Sequence, residues 1–175
     1  MSIRPIAVDD LDMVLSWRNC DAVRRNMAST HVIRPEEHRD WFKRIRADPT
    51  CRWLIVSDSN RPMGVGYITD IAAESRAAQW GFYKAPDMPP GTGTRVCIET
   101  LDYAFRELPI DWINGDVRDT NVVSIRIHEK LGFTRMPSEP SRDLNEFRCC
   151  MIRFGLSRQA WESTVNRERV VHETG

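Results

Sequence analysis

Residues 85–94, Ala-Pro-Asp-Met-Pro-Pro-Gly-Thr-Gly-Thr, separate two different hydrophobic patterns in this sequence. Before this segment, three runs rich in β-branched and aromatic residues are typical of strands: residues 51–57, 63–71 and 77–84. After it, apolar residues recur with the spacing of an α-helix: Cys97, Leu101, Ala104, Phe105 and Leu108. We therefore expect an antiparallel meander, then an irregular loop rich in proline and glycine, and then a helix from residue 95 that Pro109 ends.

The rest of the chain extends this pattern to a mixed α/β domain built on a single sheet. Further strands are predicted at residues 3–8, 110–117, 133–136 and 146–154. Further helices are predicted at residues 10–18, 35–47 and 121–131 and from residue 157, with a loop or short helix at 20–34. Gly132 follows the helix at 121–131, where a left-handed C-cap is expected. A chain of 175 residues is about one domain, and we assign residues 1–156 to it and residues 157–175 to a C-terminal helix and tail.

Charge and targeting features narrow the class of function. Lysine and arginine together number 25 and so do the acidic residues, and this balance argues against capture of nucleic acid or an anionic membrane surface. The N-terminus has no apolar signal region, and no stretch is apolar enough for a transmembrane helix. The five cysteines show no metal-ligand spacing. We expect a cytoplasmic protein with reduced thiols and no metal.

The glycines of the loop point to an anion site. Gly91 and Gly93 follow a strand and open a helix, where backbone N–H groups can face a phosphate and a Cβ would block its approach. A P-loop is excluded because no Gly-Lys-Ser/Thr string exists. A dinucleotide fingerprint is excluded because Val96 stands where a third glycine is needed and the preceding strand is antiparallel. What remains is a pyrophosphate held at a helix N-terminus after an antiparallel strand.

Two motifs carry a resemblance to a known family. Residues 88–93 resemble the signature Q/R-x-x-G-x-G/A of the GCN5-related N-acetyltransferases (GNAT), with Met88 in place of the Gln or Arg. Residues 121–133, Asn-Val-Val-Ser-Ile-Arg-Ile-His-Glu-Lys-Leu-Gly-Phe, resemble a second family motif, with His128 where a Tyr is usual. The chain is thus identified as a member of that superfamily. The resemblance implies the GNAT fold, a single mostly antiparallel sheet with a parallel central pair flanked by helices.

The resemblance also implies acetyl-CoA as co-substrate. Its pyrophosphate would rest on the loop at Pro90, Gly91, Thr92, Gly93 and Thr94. Its pantetheine arm would follow the strand at Phe82, Tyr83 and Lys84 and pass close to Asn121.

The N-terminal half is similar to one GNAT subfamily, which N-acetylates a UDP-4-amino-4,6-dideoxy sugar in pseudaminic acid synthesis for flagellin glycosylation. That likeness implies nucleotide contacts from Arg18, His38, Thr69 and Tyr83, and contacts to the sugar methyl group from Met27 and Trp41. Taken singly, these residues have other interpretations: Trp41 as core, His38 as solvated surface and Arg18 as a helix-end cation. Three positions depart from the subfamily: Tyr67, Asp70 and Gln79.

The expected chemistry is direct attack of the amine on the thioester in a ternary complex. Backbone N–H groups near Phe82 and Tyr83 would stabilise the oxyanion, and His128, with Asn121 nearby, would supply the proton for the thiolate. The general base stays open between a water relay and Glu99. Two other functions also stay open, an N-terminal acetyltransferase for ribosomal-type proteins and a non-catalytic CoA-binding module. We expect only small-molecule partners, and a homodimer stays open.

Overall fold

The computed structural model describes residues 1–27, 29–137 and 151–173, with the side chains of the last helix described up to Val165. Its strands are β1 (Ser2–Pro5), β2 (Arg52–Asp58), β3 (Arg61–Ala72), β4 (Ala77–Lys84), β5 (Trp112–Arg118), β6 (Thr134–Arg135) and β7 (Met151–Ser157). Its helices are α1 (Leu11–Asn19), α2 (Asp21–Arg24), α3 (Pro35–Ala47), α4 (Thr92–Glu107), α5 (Val122–Lys130) and α6 (Arg158–Glu173), and a 3-10 turn (Val8–Asp10) precedes α1. The predicted order of elements is confirmed, with α2 as the short helix inside the predicted loop.

The seven strands form one sheet in the order β1-β2-β3-β4-β5-β7-β6. The pair β4–β5 is parallel and every other described pair is antiparallel. Helix α4 makes the crossover that a parallel pair requires. The predicted sheet, mostly antiparallel with a parallel central pair, is confirmed.

Strands β4 and β5 pair over only part of their lengths. Their register runs from Ala77 opposite Trp112 to Gln79 opposite Asn114 and then stops, although both strands continue. Residues 80–84 of β4 and 115–118 of β5 therefore diverge. We call this region the fork.

Helices cover both faces of the sheet. On one face, α4, α5 and α6 enclose a core that includes Trp80, Leu101, Ile113, Phe154 and Trp161. On the other face, α1 and α2 pack over Ile55, Val65 and Tyr83. Successive residues of a strand point to opposite faces, so Trp80 and Tyr83 of β4 belong to different cores.

Several element boundaries differ from the prediction for local reasons. Helix α4 begins at Thr92 rather than residue 95, because Gly91 adopts a left-handed conformation (φ 88°) as its N-cap. Strand β3 begins at Arg61 rather than 63, because Ser59 and Asn60 (φ 47° and 66°) close a two-residue hairpin turn. Residues 146–150 of the predicted strand 146–154 lie outside the described residues, and β7 covers the rest.

The end of α5 follows the prediction. Gly132 has φ 86°, its N–H donates to Glu129 O, and the N–H of Phe133 donates to His128 O at 3.0 Å. These two bonds form a Schellman motif, which needs a left-handed residue at this point.

Two classes of feature are not found in the described parts of the chain. No helix there is long and apolar enough to cross a membrane. No cluster of three or more His, Cys, Asp or Glu side chains there has the geometry of a metal site.

Candidate active site

The fork exposes the edge of β4 to an extended ligand. Peptide groups along a strand face alternate neighbours, and beyond Gln79 those that face β5 have no partner in that strand. The stretch includes Phe82, whose side chain packs toward α4, and Tyr83, whose side chain is buried under α1. An extended chain that carries amide groups can bond to this edge as a strand would.

The loop at the N-terminus of α4 presents backbone donors. No side chain caps this helix, so its first N–H groups are available to an anion. The Thr92 N–H donates to Pro89 O at 3.3 Å, and Pro90 has no N–H, so the amides of Gly91, Gly93 and Thr94 remain. Pro90 can line the predicted pyrophosphate site but cannot donate to it, because proline lacks the proton.

The side chain of Lys84 organises this loop. Its Nζ lies 2.7 Å from Met88 O and 3.3 Å from Ala85 O. The ammonium group thus ties the loop back onto the end of β4. No local pattern in the sequence predicts this contact, since the carbonyl partners of Lys84 depend on how the loop turns.

Asn121 occupies the start of α5, directly after β5. Its Oδ1 accepts a hydrogen bond from the Ser124 N–H at 3.2 Å and caps the helix. This contact fixes the side chain beside the fork.

His128 is enclosed in an aromatic cluster rather than exposed on the helix surface. Its side chain is 3% exposed and contacts the rings of Trp80, Phe82, Phe133 and Phe154. Nδ1 lies 2.8 Å from Ser124 O. Because a carbonyl oxygen only accepts, Nδ1 carries the proton and Nε2 of the neutral ring is an acceptor.

Burial also determines the charge of His128. It lowers the pKa of the imidazole to about 4, although the hydrogen bond to Ser124 opposes the shift. The ring is therefore neutral at pH 7. A neutral ring whose one proton is already bonded must first take up a proton at Nε2 before it can give one to a leaving thiolate.

Arg18 holds an unpaired donor near two tyrosines. Its Nη2 donates to Ser29 O at 2.8 Å, whereas Nη1 is buried and has no partner among the residues that the structure describes. Burial lowers the pKa of the guanidinium and raises that of Tyr67 and of Tyr83, whose charges would interact with it. Both tyrosines are thus neutral at pH 7, and the cation lies beside neutral phenols.

Four rings form a chain that leads away from this arginine. Tyr67 stacks on Trp53 at 4.3 Å between centroids, Trp53 meets Trp41 edge-on at 4.8 Å, and Trp41 stacks on His38 at 4.7 Å. We call these residues the aromatic chain.

The predicted acceptor residues divide into two groups. Arg18 lies close to Tyr83, and Met27 packs in the same cluster as Tyr83. Trp41 is half-buried and reaches them only through the aromatic chain. His38 is 4% exposed, which contradicts its interpretation as solvated surface, and burial lowers its pKa. Thr69 lies on the Tyr67 face of β3, one pleat further along, with Oγ1 3.4 Å from Asp70 Oδ2.

Sequence reasoning missed Trp53 and the importance of Tyr67. A Cβ on Gly81 would lie 2.1 Å from the Tyr67 hydroxyl oxygen, so this phenol lies directly across the β4 backbone at Gly81. The two residues pair across β3 and β4. Only the strand register reveals the contact, and no local motif signals it.

The buried cysteines and Glu99 are the other groups to consider as nucleophile and general base. Cys97 is fully buried and Cys51 is buried, and burial raises the pKa of both thiols, which makes them poor nucleophiles. Glu99 interacts with Asp102, the chain N-terminus, Arg106 and Arg95. None of these groups belongs to the fork, so the structure gives no support to Glu99 as general base.

Comparison with known proteins identifies a family model and several relatives. The model of the acetyltransferase (GNAT) domain matches residues 1–134. Acetyltransferase PseH of Campylobacter jejuni is 24% identical over 125 residues, 71% of this chain and 77% of that protein. A prophage-derived uncharacterized N-acetyltransferase of Bacillus subtilis, YokL, is 29% identical over 133 residues, 74% of each chain.

Solved structures share the fold. A spermidine N-acetyltransferase from Vibrio cholerae in complex with CoA and spermine has a TM-score of 0.82 at 18% identity, over 92% of this chain and 97% of that one. PseH of Campylobacter jejuni in complex with acetyl coenzyme A has a TM-score of 0.67 at 17% identity, over 90% and 99%. Identities this low establish the architecture, and the acceptor has to be argued from the site.

Proposed function

The chain belongs to the GNAT acetyltransferase family, and from this premise we propose that it transfers an acetyl group from acetyl-CoA to the 4-amino group of a UDP-amino-dideoxysugar. An N-acetyltransferase that uses acetyl-CoA follows from the family itself. The acceptor is the proposal. It is a sugar nucleotide of the kind used in pseudaminic acid synthesis for flagellin glycosylation, and the similarity to PseH supports it.

The fork and the loop fit acetyl-CoA. The free edge of β4 suits the amides of the pantetheine arm, and the uncapped start of α4 suits the pyrophosphate. Gly91 has no atom within 4 Å of where a Cβ would stand, and Gly93 only side chains at 3.6 Å and beyond, so both leave the approach open. Asn121, beside the fork, would border the same ligand.

The single observation that carries the acceptor proposal is Nη1 of Arg18. A buried guanidinium donor without a partner is unfavourable unless a ligand completes it. A diphosphate does so, because its oxygens accept charge-assisted hydrogen bonds from an arginine fork. Met27 and the half-buried ring of Trp53 supply apolar surface in the cluster around Tyr83, and Trp41 extends this surface away from the cation. Such a surface suits a deoxysugar methyl group and a uracil ring.

The same arginine argues against a polyamine acceptor. A polyamine is a cation at neutral pH, and a half-buried guanidinium beside neutral tyrosines repels it. The described ion pairs place no carboxylate on Arg18. This chain thus shares its fold with the spermidine acetyltransferase, but the site around Arg18 suits an anionic acceptor rather than a cationic one.

We propose direct transfer in a ternary complex, because the described buried cysteines are poor nucleophiles. The amine nitrogen attacks the thioester carbon, and unpaired N–H groups along β4 near Phe82 and Tyr83 stabilise the charge on the carbonyl oxygen. His128 supplies the proton that the leaving thiolate needs. In this role, His128→Phe should lower kcat by about 10²–10⁴ with little change in acetyl-CoA affinity, and His128→Tyr should restore part of the activity.

The test is acetyl transfer to a panel of amines, with release of free CoA thiol as the readout. The panel contains UDP-4-amino-dideoxysugars, spermidine and a ribosomal-protein N-terminal peptide. We expect turnover of the UDP-sugars alone. Preference for spermidine or the peptide would overturn the acceptor proposal, and no turnover of any amine would favour the CoA-binding module.

The role of Arg18 is tested by calorimetry with UDP. Arg18→Gln should weaken UDP binding by about 1.5–3 kcal/mol, the value of a hydrogen bond to a charged group, and leave acetyl-CoA binding unchanged. Arg44→Gln, the same change at an exposed site on α3, is the matched control and should change neither. Equal losses for both ligands in Arg18→Gln would show that the arginine supports the fold instead.

A further inference from the structure

A hydrogen-bond donor of Trp80 and an acceptor of His128 lie close to one point at the base of the fork. A Cβ on Gly115 would lie 2.6 Å from Nε1 of Trp80 and 3.0 Å from Nε2 of His128. Gly115 directly follows Asn114, the last residue of β5 that pairs with β4. The two nitrogens therefore face the place where the strands begin to separate.

In the part of the chain that the structure describes, the indole N–H of Trp80 is buried without a hydrogen-bond partner, and Nε2 of His128 makes no hydrogen bond. Trp80 is 5% exposed, and its Nε1 has no hydrogen-bond partner within the described ranges of the chain. An indole N–H only donates, whereas Nε2 of His128 only accepts because Nδ1 holds the proton against Ser124 O. The described hydrogen bonds of His128 include none at Nε2. A small group that both accepts and donates would satisfy the two atoms at once.

We propose that Trp80 and His128 bind one water molecule beside Gly115, and that Trp80 is a positioning residue for proton transfer through it. The water accepts from Nε1 of Trp80 and donates to Nε2 of His128, and its remaining valences face the fork. Buried waters characteristically make two to four such bonds. Glycine at position 115 matters for this site, because the Cβ of any other residue would lie within 3.0 Å of both nitrogens and would block a shared ligand.

Through this water, His128 can act first as the base for the amine and then as the acid for the thiolate. As the C–N bond forms and the C–S bond breaks, one proton must leave the amine nitrogen and one must reach the sulfur. His128 takes the first through the water at Nε2 and returns it through the same water to the thiolate. The water and the imidazole end as they began, and the net change is one proton moved from nitrogen to sulfur.

The electrostatics of the site agree with that sequence of events. Burial lowers the pKa of His128 to about 4, so Nε2 is unprotonated at pH 7 and, as a weak base, holds the transferred proton only briefly. The imidazolium, once formed, is a much stronger acid than a thiol of pKa about 8.5 and gives its proton to the thiolate readily.

The first experiment removes the donor and keeps the ring. Trp80→Phe should lower kcat about tenfold, the effect of one lost hydrogen bond to a reacting group, with an unchanged KM for acetyl-CoA. In a His128→Phe background the same substitution should have no further effect, because the water has lost its acceptor. Trp161→Phe is the matched control. This buried indole of α6 donates to Asp102 Oδ1 of α4 at 2.9 Å, so neither partner belongs to the fork, and kcat should stay at the wild-type value.

The second experiment detects the bound water directly and needs no amine substrate. The indole N–H resonance missing from Trp80→Phe identifies Trp80, and in the wild type it should show a nuclear Overhauser effect to bound water. Gly115→Ala, whose Cβ would crowd both nitrogens, should abolish that effect and lower kcat as Trp80→Phe does.

The proposal is overturned by any of three results: no water contact at the Trp80 indole, a wild-type kcat in Trp80→Phe, or an equal loss in Trp161→Phe. The inference rests on the acetyltransferase chemistry and not on the UDP-sugar. The kinetic arm uses whichever amine the protein acetylates, and the spectroscopic arm uses none, so the failure of one proposal is distinguishable from that of the other.

Discussion

Replacing His128 with glutamine should make the protein's stability less sensitive to mild acid. In the unfolded chain a histidine has a pKa of about 6.5, and in the folded protein burial lowers the pKa of His128 to about 4. Between these values the unfolded state binds the additional proton. The stabilisation is therefore complete above about pH 6.5 and is lost as pH falls toward 4. Between pH 7 and pH 5 the loss amounts to about 2 kcal/mol.

The assay is urea unfolding at pH 7 and pH 5. The wild type should lose about 2 kcal/mol more than His128→Gln over this interval, whatever the variant loses at pH 7 from altered packing. Burial lowers the pKa of His38 as well, but His38 is present in both proteins and cancels. Val123→Gln places the same amide on an exposed site of α5 and should behave as the wild type does. Parallel losses in wild type and His128→Gln would refute the assignment of a buried neutral imidazole.

Three further outcomes follow from the packing. Gly66→Ala should destabilise the protein by about 1–3 kcal/mol in chemical denaturation, because its Cβ would stand 1.9 Å from Thr100 Oγ1, whereas Gly93→Ala, whose Cβ meets nothing closer than 3.6 Å, should be tolerated. Arg158→Ala should cost about 2 kcal/mol, seen as a lower Tm, because the guanidinium bonds to three carbonyls around the end of α4. Gly91→Val should raise the KM for acetyl-CoA several-fold, because it strains a left-handed residue (φ 88°) at the start of α4, and an unchanged KM would remove this loop from the binding site.

The elements that the sequence predicts well are those specified by their own residues. The stripe from Cys97 to Leu108 suffices for α4, and Gly132 suffices for the end of α5, because periodicity and a left-handed glycine are local signals. The start of α4 was missed by three residues, since the conformation of Gly91 depends on the loop before it. The burial of His128 was missed entirely. Its aromatic neighbours come from β4, β7 and the segment after α5, which no local pattern brings together.

The acetyl-CoA side of the candidate site is predictable from local sequence, whereas the acceptor side is not, and the fold explains this difference. A parallel pair requires a crossover, and here the crossover helix α4 begins just beyond β4, so the glycines that open it lie beside the strand edge that the fork frees. The free edge of β4, the loop after it and the N-terminus of α4 thus lie in one short segment of the chain, so a local motif can predict them together. The acceptor side instead joins Arg18 of α1, Trp53 of β2, Tyr67 of β3 and Tyr83 of β4. The observation that points to an anionic acceptor is Nη1 of Arg18, unpaired among the described residues, and it becomes visible only in the folded structure. Donor chemistry is therefore readable from the sequence, and acceptor chemistry has to be read from the packing.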